Sequence, residues 1–100
     1  MPAVIKARIV EYDEVNIWKY IANDNEDAAS NTLRLLDATY KKLSKSPKIG
    51  KQSNDLYKGL RSMPIGPGRN NYVIFYLPMR NGVKIVRVME GHRNIPPDMF

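Results

Sequence analysis

The sequence predicts an α+β fold, β-α-α-β-β-β, with an antiparallel sheet packed against an N-terminal helical hairpin. Three observations carry this. Residues 3–10 alternate with a period of two. Two stretches of helical period follow, joined by a very short link. Three strand-like segments then close the chain, the last two separated by Asn81-Gly82.

In the first segment Ala3, Ile5, Ala7 and Ile9 point one way and Val4, Lys6, Arg8 and Val10 the other, which predicts a half-solvated strand. Asp13 is placed as a helix cap with Glu14 in the first turn, and Val15, Trp18, Ile21 and Ala22 form the apolar stripe of a helix ending near Asn23 and Asp24. Asn25 caps a second helix, with Glu26 and Asp27 at the positive end of its dipole. Ala29, Leu33, Leu36, Tyr40 and Leu43 recur at three- and four-residue spacing, Lys41, Lys42 and Lys45 suit the carbonyl end, and Ser46-Pro47 stops the helix. Residues 46–58 read as a long polar loop with lysines and Gly50. Leu60 to Pro64 reads as a short strand. Tyr72 to Leu77 is apolar on both faces, as a central strand must be, and Pro78 is read as its end. Arg80-Asn81-Gly82 reads as a hairpin turn using positive φ angles. Val83 to Glu90 is the last strand, with Val83, Ile85 and Met89 sharing a face with Arg87.

One hundred residues make one domain, residues 1–100, and no segment approaches the roughly 20 apolar residues of a membrane span. The alternating, charged N-terminus has no secretory h-region, and the absence of cysteine excludes disulfides, thiolate metal sites and a cysteine nucleophile. These features fit a cytoplasmic protein. Metal ligation is not expected, since one histidine and scattered carboxylates have no ligand spacing; no P-loop or nucleophile elbow is present, and no cofactor is implied. The net charge of +6 is uneven: residues 1–40 hold 4 basic and 7 acidic side chains, residues 41–100 hold 12 basic and 3 acidic. A basic C-terminal portion points to an acidic partner, nucleic acid or protein.

Arg61, Arg69, Arg87 and Arg93 lie on or beside the predicted sheet, where guanidinium groups can hold phosphate or carboxylate through paired hydrogen bonds. Arg87 is singled out because it interrupts an apolar face. His92 alone has an ordinary pKa near neutrality and is the candidate acid or base. Gly66 and Gly68 are read as turn residues. Trp18 and Tyr40 are read as core, and Tyr72 and Tyr76, on one strand face, as packing against the helices.

Four segments resemble the RelE/ParE toxin superfamily, and most closely its ParE-like branch. They are IWKYIANDNEDAA (residues 17–29), LSKSPKIGKQSNDLYKGLRSMPIG (43–66), which holds the Pro-x-x-Gly loop and the Gly-Leu-Arg-x-x-Pro-x-Gly strand, YVIFY (72–76), and VKIVRVMEGHRNIP (83–96) with its Ile-Val-Arg-Val-x-x-Gly-x-Arg pattern. The resemblance spans nearly the whole chain. It implies the toxin of a type II toxin–antitoxin module, of the plasmid-stabilisation and growth-arrest kind. It further implies inhibition of DNA gyrase by binding and neutralisation by a cognate, ParD-like antitoxin. The acidic C-terminal segment of that antitoxin would lie along the helical hairpin, at Trp18, Ile21, Leu33, Leu36 and Tyr40. Arg61, Arg69, Arg87, His92 and Arg93 would then face the target. The other branch implies a ribosome-dependent mRNA endonuclease, with Arg69, Arg87 and Arg93 as its cations and His92 as its base. No tyrosine follows Tyr76, so that catalytic set is partial, and the non-enzymatic reading is preferred. A degenerate antitoxin-binding homologue is the third alternative. The chain departs from its branch at Pro67 to Asn71, a longer hairpin tip carrying Arg69, where a change of target or partner is expected.

Overall fold

A computed structural model describes residues 2–66 and 72–91. The order is β1 (Ala3–Lys6), α1 (Arg8–Ala22), α2 (Glu26–Lys45), β2 (Lys51–Gln52), β3 (Arg61–Ile65), β4 (Tyr72–Met79) and β5 (Gly82–Glu90). The α+β class and the helical hairpin stand. The sheet has the order β1-β5-β4-β3-β2, and it is mixed: β2 to β5 pair antiparallel, while β1 joins β5 in parallel.

The first strand is shorter than its alternation suggests. Ala7 gives its N–H to Ile85 O at 2.9 Å, and the chain then turns into α1 at Arg8. Helical period takes over because Val10, Asp13 and Ile17 fall on one face, and all three are buried. Asp13 is therefore an interior residue of α1 and not its cap, and Ala7 at the N-cap offers no side-chain hydrogen bond. Val15, expected on the buried stripe, is 49% exposed. Asn25 does cap α2, its Oδ1 accepting from Ala28 N at 3.0 Å. Ala29, Leu36, Tyr40 and Leu43 of that helix are fully buried, as their spacing predicts.

The two helices and one sheet face enclose the main core, which includes Val10, Leu36, Tyr40, Leu43, Ile74, Tyr76, Val83 and Ile85. A smaller cluster, Leu60, Phe75 and Met89 with Leu56, Val73, Leu77 and Val86, covers the other face. β4 is thus central and apolar on both sides, and it continues past Pro78 to Met79. A bulge breaks the alternation of β5. Phe75 pairs with Arg87 but Tyr76 pairs with Ile85, so Val86 is the extra residue. Arg87 is therefore out of phase with Val83 and Ile85 and does not share their face. The loop expected over residues 46–58 contains β2, two residues paired with Ser62 and Arg61, too short to show a period.

At the β4–β5 hairpin, positive φ is used only by Gly82 (φ 138°), and Asn81 does not need it. The reason lies across the sheet. Ala3 gives its N–H to Asn81 O at 2.9 Å, and a Cβ on Gly82 would fall on the backbone of Ala3. Gly82→Ala is expected to cost about 3 kcal/mol through strain and overpacking. Urea unfolding monitored by circular dichroism measures it, and amide exchange should show β1 loosening first.

Candidate functional site

The Asp13 carboxylate of α1 accepts three hydrogen bonds. Its Oδ1 accepts from Arg87 Nη2 at 2.9 Å; its Oδ2 accepts from Arg87 Nε at 3.0 Å and from the backbone N–H of Val88 at 3.0 Å. β1 ends its pairing with β5 at Ile85, and among the described residues no strand lies beside β5 beyond that point. The Asp13 carboxylate supplies the acceptor that a neighbouring strand would have supplied. Side-chain exposures of 9% for Asp13 and 17% for Arg87 make this a shielded pair. The hydrogen bonds that Arg87 donates to Asp13 hold its guanidinium above its ordinary pKa, against the opposing effect of burial. Arg87 does form the paired contact expected of it, but with a carboxylate of its own chain.

A second network ties β1, α1 and α2 together. Lys6 Nζ lies 3.1 Å from Glu14 Oε1 and 5.6 Å from the centre of the Tyr40 ring, and Tyr40 Oη donates to Glu14 Oε2 at 2.9 Å. Burial first, and then the Glu14 carboxylate, push the Tyr40 phenol well above its ordinary value. A third network holds the loop after α2. Arg61 Nη1 donates to Lys48 O at 3.0 Å and Gly50 O at 2.7 Å, while Tyr76 Oη donates to Pro47 O at 2.7 Å and accepts from Gly50 N at 2.9 Å.

Of the five residues expected to face a target, Arg61 and Arg87 are thus both bonded within the chain, at separate places. Arg69, His92 and Arg93 lie outside the described residues, as does the tip Pro67 to Asn71. Of the five expected to face a partner, Leu36 and Tyr40 are 0% and 1% exposed and present no surface. Ile21 and Leu33 are half-buried against the core. Trp18 is half-buried too, its Nε1 donating to Ser30 Oγ at 3.4 Å. Trp18 and Leu33 line a shallow apolar groove with Val15, Glu11, Glu14 and Lys19. A wider groove runs between α1 and the second half of β5, lined by Asn16, Tyr20, Tyr72, Met89 and Glu90 beside the Asp13–Arg87 pair. Tyr12 and Tyr20 on α1 are 65% and 70% exposed. The described residues hold no group of three His, Asp or Glu side chains able to bind a metal ion, and no helix among them is long and apolar enough to cross a membrane.

Sequence reading missed Asp13, Glu14 and Tyr76 as the hubs of these networks. The signal for Asp13 was its spacing of three from Val10 and four from Ile17, an acid on an otherwise apolar stripe.

This assembly of a helical hairpin on a sheet, closed by an acid–arginine pair, belongs to a family. Residues 10–95 match the family of the ParE toxin of the type II toxin–antitoxin system parDE, and the chain is a member of that family. Among its relatives is Toxin ParE3 of Caulobacter vibrioides (strain ATCC 19089 / CIP 103742 / CB 15), 27% identical over 96 residues that cover 95% of this chain and 92% of the relative.

Two outcomes follow from the networks. Asp13→Ala should destabilise the fold by about 3–5 kcal/mol, because it leaves a shielded cation and a strand N–H without partners. Asp13→Leu combined with Arg87→Met should cost clearly less than Asp13→Ala alone, and a double-mutant cycle by urea unfolding reads the difference. Tyr40 has the opposite pH sign to a paired carboxylate. Its folded pKa lies above the unfolded value of 10.0, so its contribution is full below that pH and is lost as the pH rises beyond it. Tyr72 and Tyr76 are raised in the same direction, chiefly by burial. The urea midpoint should therefore fall steeply above roughly pH 10, and less steeply in Tyr40→Phe.

Proposed function

We propose that this ParE-family toxin acts by binding DNA gyrase and blocking it, without catalysis of its own, and that a cognate antitoxin neutralises it in the cytoplasm. The observation that carries the reading is the family match across residues 10–95. The geometry supports a binding role over phosphate chemistry. Of the cations expected in the nuclease reading, Arg87 is described and gives its hydrogen bonds to Asp13, and Arg61, also expected to face a target, gives its own to backbone carbonyls, so neither is poised to stabilise a transferring phosphate. A supercoiling assay with purified gyrase tests it. Loss of supercoiling at micromolar toxin, with reporter mRNA left intact, is the expected result; unaffected gyrase together with message cut on the ribosome would replace it with the nuclease reading.

The same proposal places the antitoxin segment along the outer side of the hairpin, on Trp18, Ile21 and Leu33, since Leu36 and Tyr40 are occupied by the core. An amphipathic helix laid on such a groove buries apolar side chains there. Trp18→Ala with Leu33→Ala should weaken antitoxin binding by about 2–4 kcal/mol while the fold is kept. Calorimetry with the antitoxin measures the first, and the amide spectrum of the free toxin checks the second.

A further inference from the structure

The turn that leaves α2 is held more firmly than a connection requires. Within residues 47–50, the carbonyls of Pro47, Lys48 and Gly50 and the N–H of Gly50 are all bound by two side chains, Tyr76 and Arg61. Gly50 itself is buried, and a Cβ there would press on Tyr76 and lie 2.8 Å from Ser62 O. The bracing satisfies buried polar groups of the turn, and it also fixes the surface that the turn displays; a surface preorganised in this way loses less entropy on meeting a partner.

The braced turn displays a shallow apolar groove of about 420 Å³ lined by Ser46, Pro47, Lys48, Ile49, Pro78 and Met79. Ile49 and Met79 are 45% and 46% exposed. Lys45 and Lys51 flank the turn in the chain and Arg80 follows Met79; all are exposed. No acid occurs from Ala38 to Asn54 or from Tyr72 to Met89, so the stretches that form this groove bring no counter-charge of their own. The described ion pair of this region is that of Lys41 with Asp37, one helical turn back along α2.

We propose that this groove is a docking site for an acidic protein segment carrying a bulky apolar side chain. The apolar side chain would rest on Ile49 and Met79, and its flanking carboxylates would meet Lys45, Lys48, Lys51 and Arg80. An apolar centre with a charged rim is the usual anatomy of a protein interface. The complement of a helix dipole accounts for Lys45, and protection of an edge strand accounts for Lys51. Neither accounts for the pairing of exposed Ile49, on the braced turn, with exposed Met79, at the end of β4. A nucleic-acid backbone would use the cations and leave the apolar floor idle. The groove shares no lining residue with the one at Trp18 and Leu33, so the proposal is independent of where the antitoxin segment lies and of what the toxin's target is.

The test is methyl NMR on the full chain labelled at isoleucine and methionine. The probe is a short synthetic peptide of Glu and Asp with a central Leu-Phe pair, set against the same peptide with Ala-Ala and against short duplex DNA. Saturable shifts of the Ile49 and Met79 methyl groups, weakened about tenfold by the Ala-Ala exchange and about tenfold by Lys48→Glu, are expected. The surface variant Ile49→Ser should lose the response with an otherwise unchanged amide spectrum. The proposal is overturned by unmoved methyls at millimolar peptide, by shifts confined to Ile21 on the face of Trp18 and Leu33, or by duplex DNA binding the site more tightly than the peptide.

Discussion

One carboxylate joins the two layers of this protein. β1 pairs with only the first half of β5, and among the described residues no strand extends that edge along the second half. An open edge needs acceptors for its N–H groups, and here a helix lies where a strand would have continued. Asp13 makes that arrangement possible. It accepts from Val88 N as a strand carbonyl would, and it anchors Arg87 by two further bonds. The crossing of α1 over the sheet, the bulge at Val86 and the grooves beside α1 are all set around this contact.

The other two networks work in the same manner, with one polar side chain joining elements distant in sequence. Glu14 links β1 and α2 through Lys6 and Tyr40. Tyr76, in the central strand, reaches the turn after α2, where Arg61 completes the clamp. Each is partly shielded and hydrogen-bonded, so each favours one packing of helix on sheet over its neighbours in register. Two of the arginines that suggest a phosphate site are thereby explained as structural, which moves attention to apolar surfaces ringed with charge. Such surfaces suit a small toxin whose family acts within a toxin–antitoxin module.

Much of the fold was legible because it rests on local rules. The α2 stripe, the Asn25 cap, the stop at Ser46-Pro47 and the two-sided apolar run of β4 follow from period and capping alone. The start of α1 was misplaced because residues 3–10 satisfy a period of two, while Val10, Asp13 and Ile17 satisfy a helical period over an overlapping stretch. Only burial of Val10 against the sheet decides between them. The two-residue β2 and the bulge at Val86 leave no periodic trace at all.

The sequence by itself determined the class of fold, the apolar inventory of each layer, the uneven charge and the family, because these depend on composition, spacing and shared motifs. Tertiary structure decided which polar residues are free. Asp13 read as a cap and Arg87 as a binding cation, yet they neutralise one another across 74 positions of chain. Leu36 and Tyr40 read as partner contacts, yet the sheet covers them. Pairing of that kind is set by where the backbone brings distant side chains, and no local pattern records it.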